Sequence, residues 1–416
     1  MLERAKTAVI GPDEDWQKLM RDSHRNVAHL RKYLRVSEDN LEELCSVQEI
    51  FPVLVNPYYL SLIDPNDPDD PIRSMSIPSL AELDVSGHAD TSGEAINTVL
   101  PGLQHKYSET ALVLSTALCA MNCRYCFRRR FVGASLEETV QSIDDVAAYI
   151  AEHRAITNVL VSGGDAFMNG NDIIRRYLEL ITAIDHVRSI RFGTRTPVVL
   201  PQRITSDPEL IELLSEYSGR KQLYVVTQFN HPAEITPESK AAVQSLLQAG
   251  VPVRNQTVLL RGINDCSETL VDLMNDLVSI GVMPYYLFQC RPVTSVKNRF
   301  QVPLRDGVRI VNEAQANLNG LAKSFRFMMS HETGKIEILG CLDDVSDESS
   351  AVDMLFKYHQ ARDRCTLASF SRCRCRQMIA GSDAADCSCP TRITAAPDRL
   401  LIRTIRYSWK RNLPQK

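Results

Sequence analysis

Residues 111–130 read ALVLSTALCAMNCRYCFRRR. A short apolar run is followed at once by Cys119, Cys123 and Cys126, and then by three arginines. An apolar run of this length bounded by polar residues reads as a buried strand, so the cysteines leave the end of a strand on a loop. Their spacing is C-x3-C-x2-C, and the aromatic Tyr125 stands directly before the last thiol. Thiolates gathered in this way suit an iron–sulfur centre. The plainer alternatives are three structural cysteines or a zinc site. Zinc requires a fourth ligand and usually shows paired C-x2-C elements.

Working outward, the same strand-then-polar pattern repeats. Apolar runs occur at 158–162, 189–194, 222–229, 251–260, 283–290 and 324–330. Amphipathic helical segments separate them, at 135–153, 171–184, 207–217, 237–250, 267–281 and 305–320. In the first helix Leu136, Val140, Ile143, Ala147 and Ile150 fall on one face. Repeated βα units of this size predict an α/β fold with a parallel sheet, and six or seven of them suit a partial (β/α)6-type barrel. Residues 1–106 read as a mainly helical N-terminal region, 107–340 as the barrel, and 341–416 as a Cys-rich C-terminal extension. Unusual polar residues follow the strands: Gly163-Gly164-Asp165, Arg195, Asn230-His231, Gln289-Cys290-Arg291, and Ser330 to Lys335. The C-terminal edge of parallel strands is where α/β enzymes build their sites, so these segments are expected to converge on one mouth.

Bulk composition narrows the class. Apolar residues make up 44 % and charged residues 24 %, with a net charge of −4, which gives no reason to expect nucleic-acid or membrane binding. The first residues, MLERAKTAVIGPDEDW, carry no apolar signal core, and the chain reads as cytoplasmic. Twelve cysteines in a reducing compartment point to metal ligands rather than disulfides.

The C-x3-C-x-Tyr-C pattern resembles the radical S-adenosylmethionine (SAM) superfamily. There three cysteines hold a [4Fe–4S] cluster whose open iron chelates SAM, and one electron entering the sulfonium releases a 5′-deoxyadenosyl radical. Gly163, Gly164 and Asp165 resemble the glycine-rich contact to the methionine amino group; alone, such a triplet is often just a turn. Longer strings, PGLQHKY, CRYCFRRRFVG, VLVSGGDAF, GTRTPVVLPQRIT, QFNHPAEIT, NQTVLLRGINDC and PYYLFQC, resemble the lysine 2,3-aminomutase family over about residues 100–361.

That resemblance implies an isomerase that shifts an α-amino group to the β-carbon with pyridoxal phosphate (PLP) as carrier. It implies that Lys335 binds PLP as a Schiff base, that Tyr107 lies at the PLP site, and that Arg128 clamps the substrate α-carboxylate. A family arginine at the PLP site is Thr110 here. Tyr125, His231 and Gln256 match SAM-pocket residues. The plainer readings are a surface lysine after a turn glycine for Lys335, and ordinary buried polar residues for Gln256 and His231. Cys266 matches a cysteine that joins C-terminal cysteines at a structural zinc between subunits. That implies a homodimer or higher homo-oligomer, with ligands drawn from Cys373, Cys375, Cys387 and Cys389; a second cluster or free thiols are the alternatives. The family also implies an external electron donor of flavodoxin or ferredoxin type.

The lysine enzymes hold the substrate's distal ammonium with two acids. One of those positions is Arg291 here, and Met328, Met329 and Ser330 occupy the other region. Reversing the charge favours a substrate with a second carboxylate. FQCRPV, SHETGKIEILG and FKYHQARD also resemble the glutamate 2,3-aminomutase branch, so the expected substrate is L-glutamate, with Arg291 on its γ-carboxylate and His331 assisting. A salt bridge from Arg291 to a nearby acid is the plainer alternative, leaving lysine, arginine, aspartate or a specialised-metabolism amino acid open. A radical SAM enzyme of another reaction type, or a non-catalytic metal-binding redox sensor, are the remaining hypotheses.

Overall fold

The computed structural model describes residues 11, 14–33, 38–133, 136–342, 352–363, 367, 369–375 and 391–392. Among them thirteen strands form one sheet whose spatial order is the chain order. They are β1 (Thr98–Leu100), β2 (Leu103–Tyr107), β3 (Thr110–Thr116), β4 (Asn158–Gly163), β5 (Ser189–Gly193), β6 (Gln222–Thr227), β7 (Val253–Leu259), β8 (Val282–Gln289), β9 (Arg326–His331), β10 (Gly334–Cys341), β11 (Val352–Ala361), β12 (Phe370–Cys375) and β13 (Thr391–Arg392).

From β3 to β9 every neighbour is parallel, and before β3 and after β9 every pairing is antiparallel. The parallel part carries six helical crossovers, Ile143–Glu152, Asn171–Thr182, Pro208–Ser218, Pro237–Gln248, Ser267–Ser279 and Leu304–Ala316. This is the expected βα pattern: the seven apolar runs are seven parallel strands joined by six helices. Local chemistry starts the helices. Pro208 and Pro237 occupy first-turn positions where no amide partner is lost, and Asp207 and Thr236 cap them by accepting from the amides of Leu210 and Ser239.

The first helix begins at Ile143, later than periodicity suggests. Ser142 caps it by accepting from the Asp145 amide at 3.1 Å, and the Val140 amide is already committed to the Leu114 carbonyl of β3 at 3.0 Å. Tertiary hydrogen bonding therefore removes residues 139–142 from the helix, and Val146, Ala147 and Ile150 make its buried face. The stretch before residue 107, read as helical, also contains β1 and β2. Ser330 to Lys335, expected as polar residues following a strand, form a hairpin: His331 pairs with Gly334, Ser330 with Lys335, and only Glu332 and Thr333 turn the chain. A Cβ on Gly334 would lie 2.2 Å from the Gln360 carbonyl oxygen, so glycine lets β11 approach β10 there.

Alternation along the strands separates core from cavity. On β5 Ile190 and Phe192 are buried under the helices while Arg191 and Gly193 face the concave side; β4 does the same with Val159 and Val161 against Leu160 and Ser162. The apolar core runs without a break from Leu19 to Phe356. The N-terminal region packs into it: Asn56 donates to the Ala120 and Val199 carbonyls at 3.2 and 2.8 Å, and Tyr58 and Tyr59 reach Thr236 and Glu234 at 2.7 Å each.

The end of β4 meets the cysteine loop at close range. The Gly164 and Asp165 amides donate to the Thr116 and Leu118 carbonyls at 2.7 and 2.8 Å. A Cβ on Gly164 would stand 2.3 Å from the Leu118 oxygen, and one on Gly163, where φ is +116°, 2.3 Å from the Thr116 oxygen. Backbone on both sides cannot yield. Gly164→Ala is expected to cost about 1–3 kcal/mol by overpacking, read by urea unfolding, and to lower the iron retained after reconstitution; wild-type values for both would show that the approach is not tight.

Candidate active site

The cysteine loop is held from outside the barrel. Asn122 donates through its amide to the Leu54 carbonyl at 2.9 Å and through its side chain to Pro52 at 3.0 Å, and the Arg124 amide donates to Met75 at 2.9 Å. Phe51, Leu114, Ala117, Phe131 and Val132 form a small apolar cluster against which Cys119 and Cys126 pack. Burial pushes the Cys119 thiol up, and the Cys126 thiol up to about 12. A metal must displace those protons. Cations are placed to stabilise the thiolates: Arg195 donates from Nη1 to the Cys123 sulfur at 3.0 Å. Among the described residues no three His, Cys, Asp or Glu side chains lie close enough to share one metal ion. Three thiols carried on one loop, with a guanidinium against one sulfur, are a donor set that fits an iron–sulfur cluster.

A cavity of about 350 Å³ opens on the concave face. Its lining includes Cys123, Tyr125, Cys126, Arg128, Gly163 and Gly164 from the cysteine side, and Tyr107, Gln256, Arg291 and Lys335 from the strands. Ten residues singled out in the sequence thus meet in one place. Six cationic side chains line it, Lys106, Arg128, Arg191, Arg195, Arg291 and Lys335, against one acid, Glu94.

Lys335 is half-buried, with its ammonium over the Tyr286 ring at 4.6 Å and the Phe288 ring at 5.6 Å. Burial, with Arg191, Arg291 and Lys106 adding repulsion, lowers it to about 7. An amine in that state loses its proton near neutrality, as a Schiff-base lysine must. Lys106 is lowered to about 8, chiefly by burial and then by Arg291; it donates to the Ser92 and His331 carbonyls at 2.9 and 2.7 Å. Burial raises Tyr107 to about 12, so its hydroxyl stays protonated.

Arg128 donates from Nε to Glu94 at 2.8 Å, and Arg130 donates to the other Glu94 oxygen at 2.8 Å. Arg291 lies over the Phe127 ring, its guanidinium carbon 4.0 Å from the ring centre, and bonds Ser92 through Nη1. Burial lowers Arg291 to about 10, which leaves it charged at neutral pH. The Thr110 hydroxyl accepts from Asn158 at 2.6 Å. Tyr125 donates to Gln228 at 3.1 Å and accepts from Asn230 at 2.7 Å. Two polar atoms in lining residues, Thr227 Oγ1 and Gln289 Oε1, are buried with no hydrogen-bond partner among the described residues. Such orphans call for a ligand or ordered water, and with the two glycines they fit a polar cofactor such as SAM.

Of the residues expected at the cluster, cofactor and substrate, four stand outside the lining. Cys119 is half-buried at the start of the loop. The Asp165 carboxylate accepts from the Thr194 hydroxyl at 2.6 Å and from the Arg195 and Phe167 amides at 2.7 and 3.0 Å, so it positions Arg195. His231 caps a short turn, its Nδ1 accepting from the Ala233 amide at 3.1 Å. His331 turns to Thr333 at 2.8 Å. Cys266 is exposed at a helix start, 3.0 Å from the Thr269 hydroxyl. Cys373 and Cys375 belong to β12, and Cys387 and Cys389 lie outside the described residues, as do residues 393–416. Sequence reading missed Glu94, Lys106 and Arg191. Lys106 and Arg191 alternate onto the concave face, a signal that strand periodicity carries; Glu94 sits in a polar stretch that carries none.

The Radical SAM superfamily profile matches residues 113–275, the segment that holds the cysteine loop, the two glycines and Gln256. L-lysine 2,3-aminomutase of Clostridium subterminale is 40 % identical over 74 % of this chain and 73 % of its own. The L-lysine 2,3-aminomutase of Fusobacterium nucleatum subsp. nucleatum is 40 % identical over 74 % of this chain and 72 % of its own. Glutamate 2,3-aminomutase of Clostridioides difficile is 37 % identical over 77 % and 76 %.

The chain belongs to the lysine 2,3-aminomutase family of radical SAM enzymes. It is therefore an isomerase of the radical 2,3-aminomutase type, and this family works with a [4Fe–4S] cluster, SAM and PLP. Among its described residues no helix is long and apolar enough to cross a membrane.

For this aminomutase the Arg195–Glu234 ion pair, buried beside Cys123, ties the cysteine side of the barrel to Tyr59. Removing one partner of a buried pair strands the other charge, so Arg195→Gln is expected to destabilise the apoprotein by about 3–5 kcal/mol in urea; a loss below about 1 kcal/mol would place the pair with solvent-screened ones.

Proposed function

We propose that the chain converts L-glutamate to β-glutamate, with PLP carried on Lys335 and an external flavodoxin- or ferredoxin-type protein supplying the electron. The observation that supports an acidic substrate is the charge of the cavity: six cations face one carboxylate, and Arg128 and Arg130 already occupy both oxygens of that carboxylate. A phosphate and two substrate carboxylates would find counter-charges there. A lysine ammonium would meet Arg291 instead, and at about 4 Å two like charges repel by about 1–4 kcal/mol between aqueous and protein-surface conditions.

The roles follow from reach and chemistry. Arg128, fixed through Nε by Glu94, offers its remaining guanidinium face to the α-carboxylate, and the planar fork suits two oxygens. Arg291, seated over Phe127, receives the γ-carboxylate. Lys335 shows its nitrogen to the cavity from β10, and Tyr107 lies beside it in the lining. Gly163, Gly164, Tyr125 and Gln256 hold SAM, while Asp165 and His231 act by positioning their neighbours. His331 contributes its carbonyl, through Lys106, rather than its ring. When bound, the cluster and SAM supply a 5′-deoxyadenosyl radical that takes a β-hydrogen, and PLP carries the migrating nitrogen. Closing the site against water protects such chemistry.

A lysine of lowered pKa accepts PLP in its neutral form. The visible band of lysine-bound PLP is expected to develop half-maximally near pH 7 in the apoprotein and to fall away as pH drops below it, since protonation then wins. Lys335→Ala should lose the band at every pH; a midpoint near 10 would mean that the amine is not buried as described.

The substrate is tested by incubating the reconstituted, reduced protein with each amino acid and detecting β-amino acids by mass spectrometry. β-Glutamate should form from glutamate, and Arg291→Asp should lower kcat/KM by more than tenfold, about 1.4 kcal/mol. A β-product from lysine instead would keep the reaction and reject the role of Arg291.

A further inference from the structure

Beneath the cysteine loop, outside the cavity, lies a charge cluster that the reaction as derived does not use. Glu82 is fully buried at the end of a capped turn, where the Ser79 amide donates to Oε1 at 3.1 Å. Three guanidiniums converge on its carboxylate. Arg124 donates to both oxygens, at 2.6 and 3.0 Å; Arg129 donates to Oε2 at 2.8 Å, and Arg299 to Oε1 at 2.8 Å. All three arginines are largely buried: the side chain of Arg124 is 0 % exposed, of Arg129 7 % and of Arg299 14 %. Burial alone would raise the Glu82 carboxyl, yet the three cations hold it below its usual range.

The ratio is the informative feature. Around the loop the other arginines have one acid each: Arg128 and Arg130 share Glu94, with Glu138 also on Arg130, and Arg195 meets Glu234. Glu82 balances only one of its three, and the group keeps a net charge of +2 in a dry setting. Stability alone does not ask for this, because excess buried charge is costly. The excess sits next to the cluster ligands: Arg124 lies between Cys123 and Cys126 in sequence, and Arg129, three residues after Cys126, donates to the Arg124 carbonyl at 3.3 Å. Phe51 stacks on both guanidiniums, at 4.6 and 4.4 Å, and keeps water from screening them.

We propose that the Glu82–Arg124–Arg129–Arg299 group is an electrostatic positioning element that eases one-electron reduction of the [4Fe–4S] cluster held by Cys119, Cys123 and Cys126. This rests on the cluster assignment and not on the substrate. A four-iron core bound by three thiolates is negative and gains a second negative charge when a low-potential one-electron donor reduces it. No bond forms or breaks; the added electron is stabilised by fixed positive charge nearby, one of the levers that set cluster potentials. Arg299 comes from a helix far along the chain, Lys297–Phe300, and anchors to the Ser74 carbonyl at 3.0 Å, so it changes the charge of the group without belonging to the loop.

The test is an anaerobic redox titration of the full-length reconstituted protein, following the reduced cluster by electron paramagnetic resonance, with iron content measured in parallel. Arg299→Gln is expected to make reduction about tenfold less favourable, a midpoint about 59 mV more negative. Glu82→Gln is expected to move the midpoint the opposite way, and Arg299→Lys, which keeps the charge, to leave it near wild type. Opposite signs for the two charge changes are something a merely structural role would not produce. Equal midpoints in all variants, or shifts of one sign, overturn the proposal. If Glu82→Gln fails to hold iron, the Arg299 pair decides: iron loss or an equal shift in both Arg299→Gln and Arg299→Lys makes the group a scaffold and sinks the electrostatic role.

Discussion

Two backbone hydrogen bonds, from the Gly164 and Asp165 amides to the Thr116 and Leu118 carbonyls, join the end of β4 to the loop that carries the cysteines. They form only because neither glycine has a side chain to hold the strands apart. This contact sets the height of the loop over the barrel. Cys123 and Cys126 then reach the same cavity as Lys335, whose strand is reached only after six crossovers. A radical generated at one end of the site has to arrive at a substrate bound at the other, and orientation supplies a large share of such catalysis. The glycines therefore act as spacers in the structure and as a cofactor cradle in the reading of its function.

The second organising fact is an excess of positive charge in a place shielded from water. The cavity gathers six cations, and the group under the loop adds more. In a low-dielectric setting each cation weakens its neighbours' hold on protons and strengthens their hold on anions. The same cause thus lowers Lys335 to about 7 and keeps the cavity receptive to carboxylate and phosphate. Arginine suits the clamp because it stays charged where lysine would not: Arg291 is lowered only to about 10 while Lys106 falls to about 8.

The N-terminal region is the outer wall of this arrangement. Asn56, Met75 and Glu82 contact the cysteine loop, Tyr58 and Tyr59 the segment after β6, and their apolar neighbours share the barrel's core. Phe51 packs in the small apolar cluster against Cys119 and Cys126, and Asn122 bonds Pro52 and Leu54, so loosening the first hundred residues would reach the cysteine loop directly.

Much of this was readable in the sequence, for physical reasons that can be named. Cysteine spacing is local, so the C-x3-C-x-Tyr-C loop declared its ligand chemistry; alternation and 3.6-residue periodicity are local too, so the βα units were legible. Lys335 and Arg291 were found from resemblance, and the concave face gathers both. Local signals failed where distant groups compete for one hydrogen bond. Val140 left its helix for Leu114, and Asp165 turned to Arg195 and Thr194. Glu94 and Glu82 were invisible because an acid in a polar stretch has no pattern until its partners arrive, and the partners of Glu82 lie 42, 47 and 217 residues away. The sequence by itself determined which elements form and which chemistry the cysteines support. Only the tertiary structure decided which charges are buried together, because burial and ion pairing depend on separations in space that the order of residues does not encode.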